Sequence, residues 1–191
     1  MSEHDDLIAT LMPVSTAFNQ LGVRFCISGS VASSFHGAAR STMDVDLVAE
    51  MTEDIVPAFV SYFGNDFYVS ESAVREAIGR KGCFNLIHLP TSFKVDIFVS
   101  RQRPFDLSVM HRATLANLGN VPSLEVPIAT AEDAILSKLE WYRKTNETSS
   151  RQWEDVTRLL KLLGDHADIN YLKKQAEELE IDDLLTRLIE G

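Results

Sequence analysis

The sequence is poor in cysteine and in basic residues, and it has no long apolar run. Cys26 and Cys83 are the two cysteines among 191 residues, and both lie in apolar, strand-like stretches. Such positions predict buried free thiols, which suits the reducing cytoplasm. No apolar run approaches the roughly 18–20 residues that a membrane-spanning helix needs, and the acidic first residues lack the pattern of a secretory signal. We therefore expect a cytoplasmic protein without a membrane partner.

Several common site motifs are also missing. The sequence contains no G-x-x-x-x-G-K-[ST] run and no G-x-G-x-x-G run, which argues against a P-loop and a dinucleotide-binding fold. It contains no G-x-S-x-G elbow, and its five histidines show no metal-ligand spacing with each other or with cysteine. His36 is expected to be structural.

Acidic residues outnumber basic ones. The chain has 28 Asp and Glu against 18 Lys and Arg, a formal net charge of -10. This balance disfavours tight, nonspecific binding to long nucleic acid, which needs many basic side chains at the contact face. A local basic run with Arg101, Arg103, His111 and Arg112 remains available for RNA or a phosphorylated acceptor.

The order of elements predicts an α+β protein. Residues 1–129 alternate helical and strand-like stretches, beginning with a helix from Pro13 to Gly22, and we expect them to form one α/β domain. The helix expected over 52–63 separates two strands, so part of the sheet should be mixed. Residues 130–191 contain several stretches with helical spacing separated by short breaks, with Thr130 and Asp133 in a capping-box pattern, and we expect them to form a C-terminal helical annex.

Two aspartates stand two residues apart on a predicted strand. Asp44 and Asp46 therefore point to the same face, with Cα atoms about 6.6 Å apart at about 3.3 Å per residue. Val45 and Leu47 point the other way, into the core. The pair suits a magnesium site, although an acidic strand that discourages edge-to-edge pairing has the same pattern.

Gly29 and Ser30 follow a strand and begin a short helix. Backbone N–H groups at a helix start favour a phosphate, and glycine lets a ligand approach closely. An ordinary turn with a serine cap is the alternative.

A third carboxylate lies in the apolar strand F-K-V-D-I-F-V-S. Burying the charge of Asp96 in such a strand costs free energy unless the carboxylate is ion-paired or binds a metal. Three carboxylates on neighbouring strands would hold two cations on a triphosphate.

Together these residues resemble the nucleotidyltransferase superfamily that includes DNA polymerase beta. The matching pieces are Ile27-Gly29-Ser30, the Asp44-Val45-Asp46-Leu47 run, and Asp96. The lead-in from Arg40 to Asp44 looks like the R-x-T-x-D-x-D form of the bacterial AbiEii-like branch, several of whose members are toxins of toxin–antitoxin pairs.

The resemblance implies a role for each matching residue. Gly29 and Ser30 would hold the nucleotide's phosphates, while Asp44, Asp46 and Asp96 would bind two magnesium ions, with Asp96 also helping to deprotonate the acceptor hydroxyl. Arg40 and Lys138 would offset triphosphate charge.

The helical annex offers further candidates. Lys138 borders the buried stripe of its own helix, and a surface lysine with a packed stem is the alternative. Asp155 is expected to pair with Arg151 or Arg158 along its helix. Trp141, Tyr142 and Trp153 have helical spacing, which favours the core over a base-stacking surface.

We predict from these features an enzyme that transfers NMP from an NTP such as ATP to a hydroxyl acceptor. RNA or a tRNA end, a protein and a small molecule all remain open as acceptors, and an antitoxin is a possible partner. The alternative is a non-catalytic binding protein, or antitoxin partner, with the same fold.

Overall fold

The computed structural model describes residues 3–38, 44–119 and 123–191. The strands are β1 (Phe25–Ser28), β2 (Asp44–Ala49), β3 (Phe67–Tyr68), β4 (Cys83–His88), β5 (Phe93–Val99), β6 (Thr114–Asn117) and β7 (Glu125–Ile128). The helices are α1 (Glu3–Gln20), α2 (Gly29–Phe35), α3 (Val56–Tyr62), α4 (Glu71–Arg80), α5 (Pro104–Arg112), α6 (Ala131–Lys144), α7 (Ser150–Leu163), α8 (Ile169–Glu178) and α9 (Asp182–Glu190).

The strands form a seven-stranded mixed sheet in the order β3-β4-β5-β2-β1-β7-β6. Strand β2 is antiparallel to β1 and parallel to β5, and β4 is antiparallel to β5. The α+β class and the mixed sheet flanked by helices are therefore confirmed.

The period of two along the central strands separates a core face from a site face. In β5 every second side chain from Phe93 onward is buried, and β2 buries Val45, Leu47 and Ala49 in the same way. Apolar side chains of α1, α3 and α4 cover this face, with Phe18 and Phe59 stacked at its centre. Each such fully buried side chain contributes about 1.5–3 kcal/mol. The opposite face of the same strands carries the carboxylates.

Helices of the annex pack beside that opposite face. Ile135 and Leu139 of α6 join Leu159 of α7 and Leu172 of α8 in one apolar cluster, which also includes Cys26 of β1. Thr130 caps α6 as its sequence pattern predicts, because its hydroxyl accepts the Asp133 N–H. The domain boundary at 129 stays a prediction.

Several elements differ from the sequence-based expectations. Helix α1 begins at Glu3 and runs through Pro13, because Ile8 and Leu11 on its earlier turns are buried in the core. Helix α5 and strand β6 were not predicted, although Pro104 stands in the first turn of α5 as helix starts favour. In the described part of the chain, no helix combines the length and apolar character needed to cross a membrane.

One of the two cysteine predictions is wrong. Cys26 is buried, whereas Cys83 is exposed. Cys83 begins β4 opposite Phe98 of β5, on the face that carries the carboxylates. Apolar neighbours in sequence therefore did not decide which side of the strand is covered.

Candidate active site

A row of polar side chains crosses three neighbouring strands. Ser28 of β1 lies opposite Asp46 of β2, and Asp46 lies opposite Asp96 of β5. Directly opposed residues share a face, and neighbouring strands are about 4.8 Å apart. The register therefore brings the two carboxylates side by side, with Asp44 on the same face two residues earlier.

The turn after β1 is built around the Asp46 carboxylate. Gly29 has φ +59, and a Cβ there would stand 2.6 Å from Cγ of Asp46. The next backbone N–H, that of Ser30, donates a hydrogen bond to the same carboxylate. Glycine is thus required at 29 for two reasons, the left-handed backbone and the close approach of the acid.

Asp46 has a strongly perturbed pKa. Burial, followed by the charges of Asp44 and Asp96, raises the pKa of Asp46 from 3.8 to about 6. The charge of Lys138 and the Ser30 N–H lower it in part. Burial and two like charges therefore disfavour the charged form of Asp46, and a cation bound at this carboxylate would relieve that cost.

Asp96 has an ion-pair partner on its own strand. Lys94 Nζ lies 2.7 Å from Asp96 Oδ2, and this hydrogen bond raises the pKa of Lys94. The ion pair foreseen as an alternative for Asp96 is thus present, with Lys94 as the cation. The ammonium occupies a cation position beside the carboxylate.

Lys138 is buried rather than lying along the surface. Its side chain is 6% exposed, and Nζ lies 2.8 Å from Asp155 Oδ2. Gln152 Oε1 is 3.4 Å from the same nitrogen. The ion-pair partner of Asp155 on α7 is therefore Lys138 on the neighbouring helix α6, in addition to any partner on α7 itself.

These groups open onto one cavity of about 440 Å³. Its lining includes Gly29, Ser30, Asp46, Asp96 and Lys138. Asp44 is not part of this lining, although its charge acts on Asp46. Arg40 lies outside the described residues.

Other predicted residues have structural roles. The His36 ring nitrogen Nε2 lies 2.7 Å from the Ala129 carbonyl oxygen. In the basic run, Arg103 is ion-paired with Asp106 and Glu140, and Arg112 contacts Asp133. These two arginines therefore offer less charge to a ligand than the sequence indicates.

The placement of Trp141 differs from the prediction. Trp141 is 48% exposed and lines the cavity, whereas Tyr142 packs against Trp153. Phe98 of β5 also lines the cavity, and its ring centroid lies 6.3 Å from that of Trp141. The sequence could not show that Trp141 lines a cavity, since a hydrophobic residue at helical spacing fits a cavity wall and a core equally well.

The carboxylate oxygens fit a divalent cation. Magnesium binds through one or two protein carboxylates together with substrate phosphates rather than in a closed protein cage. Within residues 3–38, 44–119 and 123–191, no three His, Cys, Asp or Glu side chains are arranged as a metal-binding group. Asp46 and Asp96 are two neighbouring carboxylates, which is the number that such an open magnesium site uses.

The fold is that of nucleotidyltransferases. The solution structure of the antibiotic-resistance factor ANT(2'')-Ia is 12% identical, with a TM-score of 0.59 over 97% of this chain and 98% of that chain. The crystal structure of an antigenic nucleotidyltransferase-like protein from Paracoccidioides brasiliensis is 17% identical, with a TM-score of 0.55 over 97% of this chain and 93% of that one. These likenesses define the fold class.

The family follows from the sequence. Residues 17–187 match the family described as nucleotidyl transferase AbiEii toxin of type IV toxin–antitoxin systems. The match covers well over half of the chain, which therefore belongs to this family and is a nucleotidyltransferase. The resemblance to the AbiEii-like branch is confirmed. No curated protein matches the chain in sequence.

Proposed function

We propose that this enzyme uses magnesium to transfer NMP from an NTP to a hydroxyl acceptor. The observation that carries the proposal is the convergence of Asp46, Asp96, the Gly29 turn and Lys138 on one cavity. Family membership supports a toxin–antitoxin setting, with an antitoxin protein as partner. An NTP substrate and the exposed thiol of Cys83 both suit a cytoplasmic location.

Each side chain has a role in this proposal. Asp44, Asp46 and Asp96 would hold two magnesium ions, which neutralise triphosphate charge when bound. Gly29 and Ser30 would position the phosphates. In the same proposal Arg40 is a further cation for the triphosphate.

The chemistry is an in-line displacement at the α-phosphorus. The acceptor oxygen forms a bond to the α-phosphorus as the bond to the bridging oxygen breaks, and pyrophosphate leaves with the electron pair. Asp96 accepts the hydroxyl proton. Lys138 is ion-paired with Asp155, yet its positive charge still acts on Asp46. In this proposal the same charge supports the departure of pyrophosphate.

Transfer of label tests this reaction. The protein is incubated with magnesium, a cell extract and NTPs labelled at either the α- or the γ-phosphate. We expect α-label to enter RNA, protein or a small molecule, while γ-label is released in pyrophosphate. Transfer of γ-label instead would identify a phosphoryl transferase and contradict the proposal.

Matched variants connect the label to the site. Asp44→Asn, Asp46→Asn and Asp96→Asn should each abolish transfer, because each removes a charge on which cation binding depends. Asp165→Asn changes an exposed aspartate in the short 3-10 segment 164–166 and should transfer at the wild-type rate. Equal loss in all four variants would show that the effect is not local to the site.

A further inference from the structure

The cavity has an aromatic wall beside its carboxylates, formed by Phe98 and Trp141. The two rings meet at an interplanar angle of 75°, so the edge of one contacts the face of the other. We propose that this aromatic wall is the surface on which the base of the bound nucleotide stacks. The inference rests on the proposed function and assigns a binding role to two residues outside the charged part of the site.

Each residue of the aromatic wall follows a charged residue of the site by two or three positions on the same element. Phe98 follows Asp96 by two residues on the same face of β5, about 6.6 Å further along the strand. Trp141 follows Lys138 by three residues on α6, about 4.5 Å further along the helix axis. A nucleotide has the same order of groups, with phosphates at one end and a planar ring at the other.

Trp141 is exposed, although most of the helix before it is buried. Ile135 and Leu139 of α6 are fully buried, whereas Trp141 is 48% exposed and lines the cavity. An indole buries much area and tends to pack its face against another ring. Phe98 takes one contact, and an aromatic face of Trp141 is left for a ligand.

Polar groups around the wall favour a base over a purely apolar ligand. Ser100, Ser137 and Gln152 also line the cavity. Hydroxyl and amide groups can donate to and accept from the edge of a base. Stacking uses the ring face and leaves that edge free, so both interactions can form together.

Tryptophan fluorescence tests the proposal directly, because the chain has two tryptophans. Trp153→Phe leaves Trp141 as the one emitter, and Trp141→Phe leaves Trp153, which packs against Tyr142 and Arg187. With magnesium present, each NTP should quench Trp141 emission in a saturable way. Inorganic tripolyphosphate should not, since it has the charge of the nucleotide but no ring. Trp153 emission should not change with either probe.

Affinity provides a second measurement. Loss of one stacking contact weakens binding about tenfold to a hundredfold, so Trp141→Ala should raise the NTP dissociation constant by that factor while tripolyphosphate binds as to wild type. Trp141→Phe keeps an aromatic face and should retain most of the affinity. We expect purine nucleotides to bind more tightly than pyrimidine nucleotides, because their larger rings stack more strongly.

The outcomes separate the two proposals. NTPs that bind by calorimetry but neither quench Trp141 nor lose affinity in Trp141→Ala would overturn the stacking assignment and leave the nucleotidyltransferase proposal intact. Failure of wild-type protein to bind any NTP would overturn both. Equal quenching by tripolyphosphate and NTP would also refute stacking, because a phosphate-driven change would then explain the signal.

Discussion

The charged carboxylate of Asp46 should lower the free energy of unfolding of the protein. It is half-buried, and burial, followed by the charges of Asp44 and Asp96, raises its pKa from 3.8 to about 6. Asp46→Asn removes the charge but keeps the shape and an oxygen that can accept the Ser30 N–H. We expect the variant to be more stable than the wild type at neutral pH and inactive in nucleotidyl transfer.

The size of the effect follows from the shift in pKa. Two pKa units at about 1.4 kcal/mol each correspond to about 3 kcal/mol. A carboxyl with a raised folded-state pKa stabilises the fold in its protonated form, so its contribution is complete below pH 3.8 and is lost as the pH rises through about 6. The advantage of Asp46→Asn should therefore be small near pH 4 and full above pH 7.

Thermal unfolding at a series of pH values measures this difference. For a chain of this length, about 3 kcal/mol corresponds to roughly 6–12 °C in Tm. Asp165→Asn serves as the matched control, since it also exchanges one carboxylate for an amide but at an exposed position. Magnesium should raise the Tm of the wild type more than that of Asp46→Asn, because the cation relieves the same repulsion.

If Asp46→Asn unfolds at or below the wild-type temperature at pH 7.5, then burial and the neighbouring charges do not destabilise the charged form of Asp46. A stability difference that does not change between pH 4 and pH 7.5 would likewise show that titration of this carboxyl is not its origin.

Two further substitutions examine the same site. Gly29→Ala should lower the free energy of unfolding by more than about 1 kcal/mol and abolish transfer, because the added Cβ overlaps Asp46 and the φ is unfavourable for alanine. Gly22→Ala is the control, since Gly22 has a similar φ but open space around it. Urea unfolding should show a smaller loss of stability for Gly22→Ala than for Gly29→Ala. Lys138→Met should raise the pKa of Asp46 further, since the charge of the lysine lowers it. NMR titration of the carboxyl groups measures this pKa. An unchanged value would show that the charge of Lys138 does not act on Asp46.

Local pattern in the sequence was sufficient for much of the fold. Alternation along β2 and β5 indicated which side chains are buried, because a strand has only two faces. Thr130 and Asp133 marked the start of α6, since a helix cap is a contact between residues three apart. The beginning of α1 could not be derived in this way, because burial of Ile8 depends on distant strands.

The candidate site divides along the same line. Motifs and their spacing in the chain were enough to select the candidate groups: Gly29, the aspartates at 44, 46 and 96, and a lysine at 138. Three other facts follow from packing alone: β2 and β5 are neighbours in parallel register, Lys138 points inward to Asp155, and Trp141 lines a cavity. A short motif fixes groups through local backbone geometry, whereas contacts between residues far apart in the chain depend on how whole elements pack.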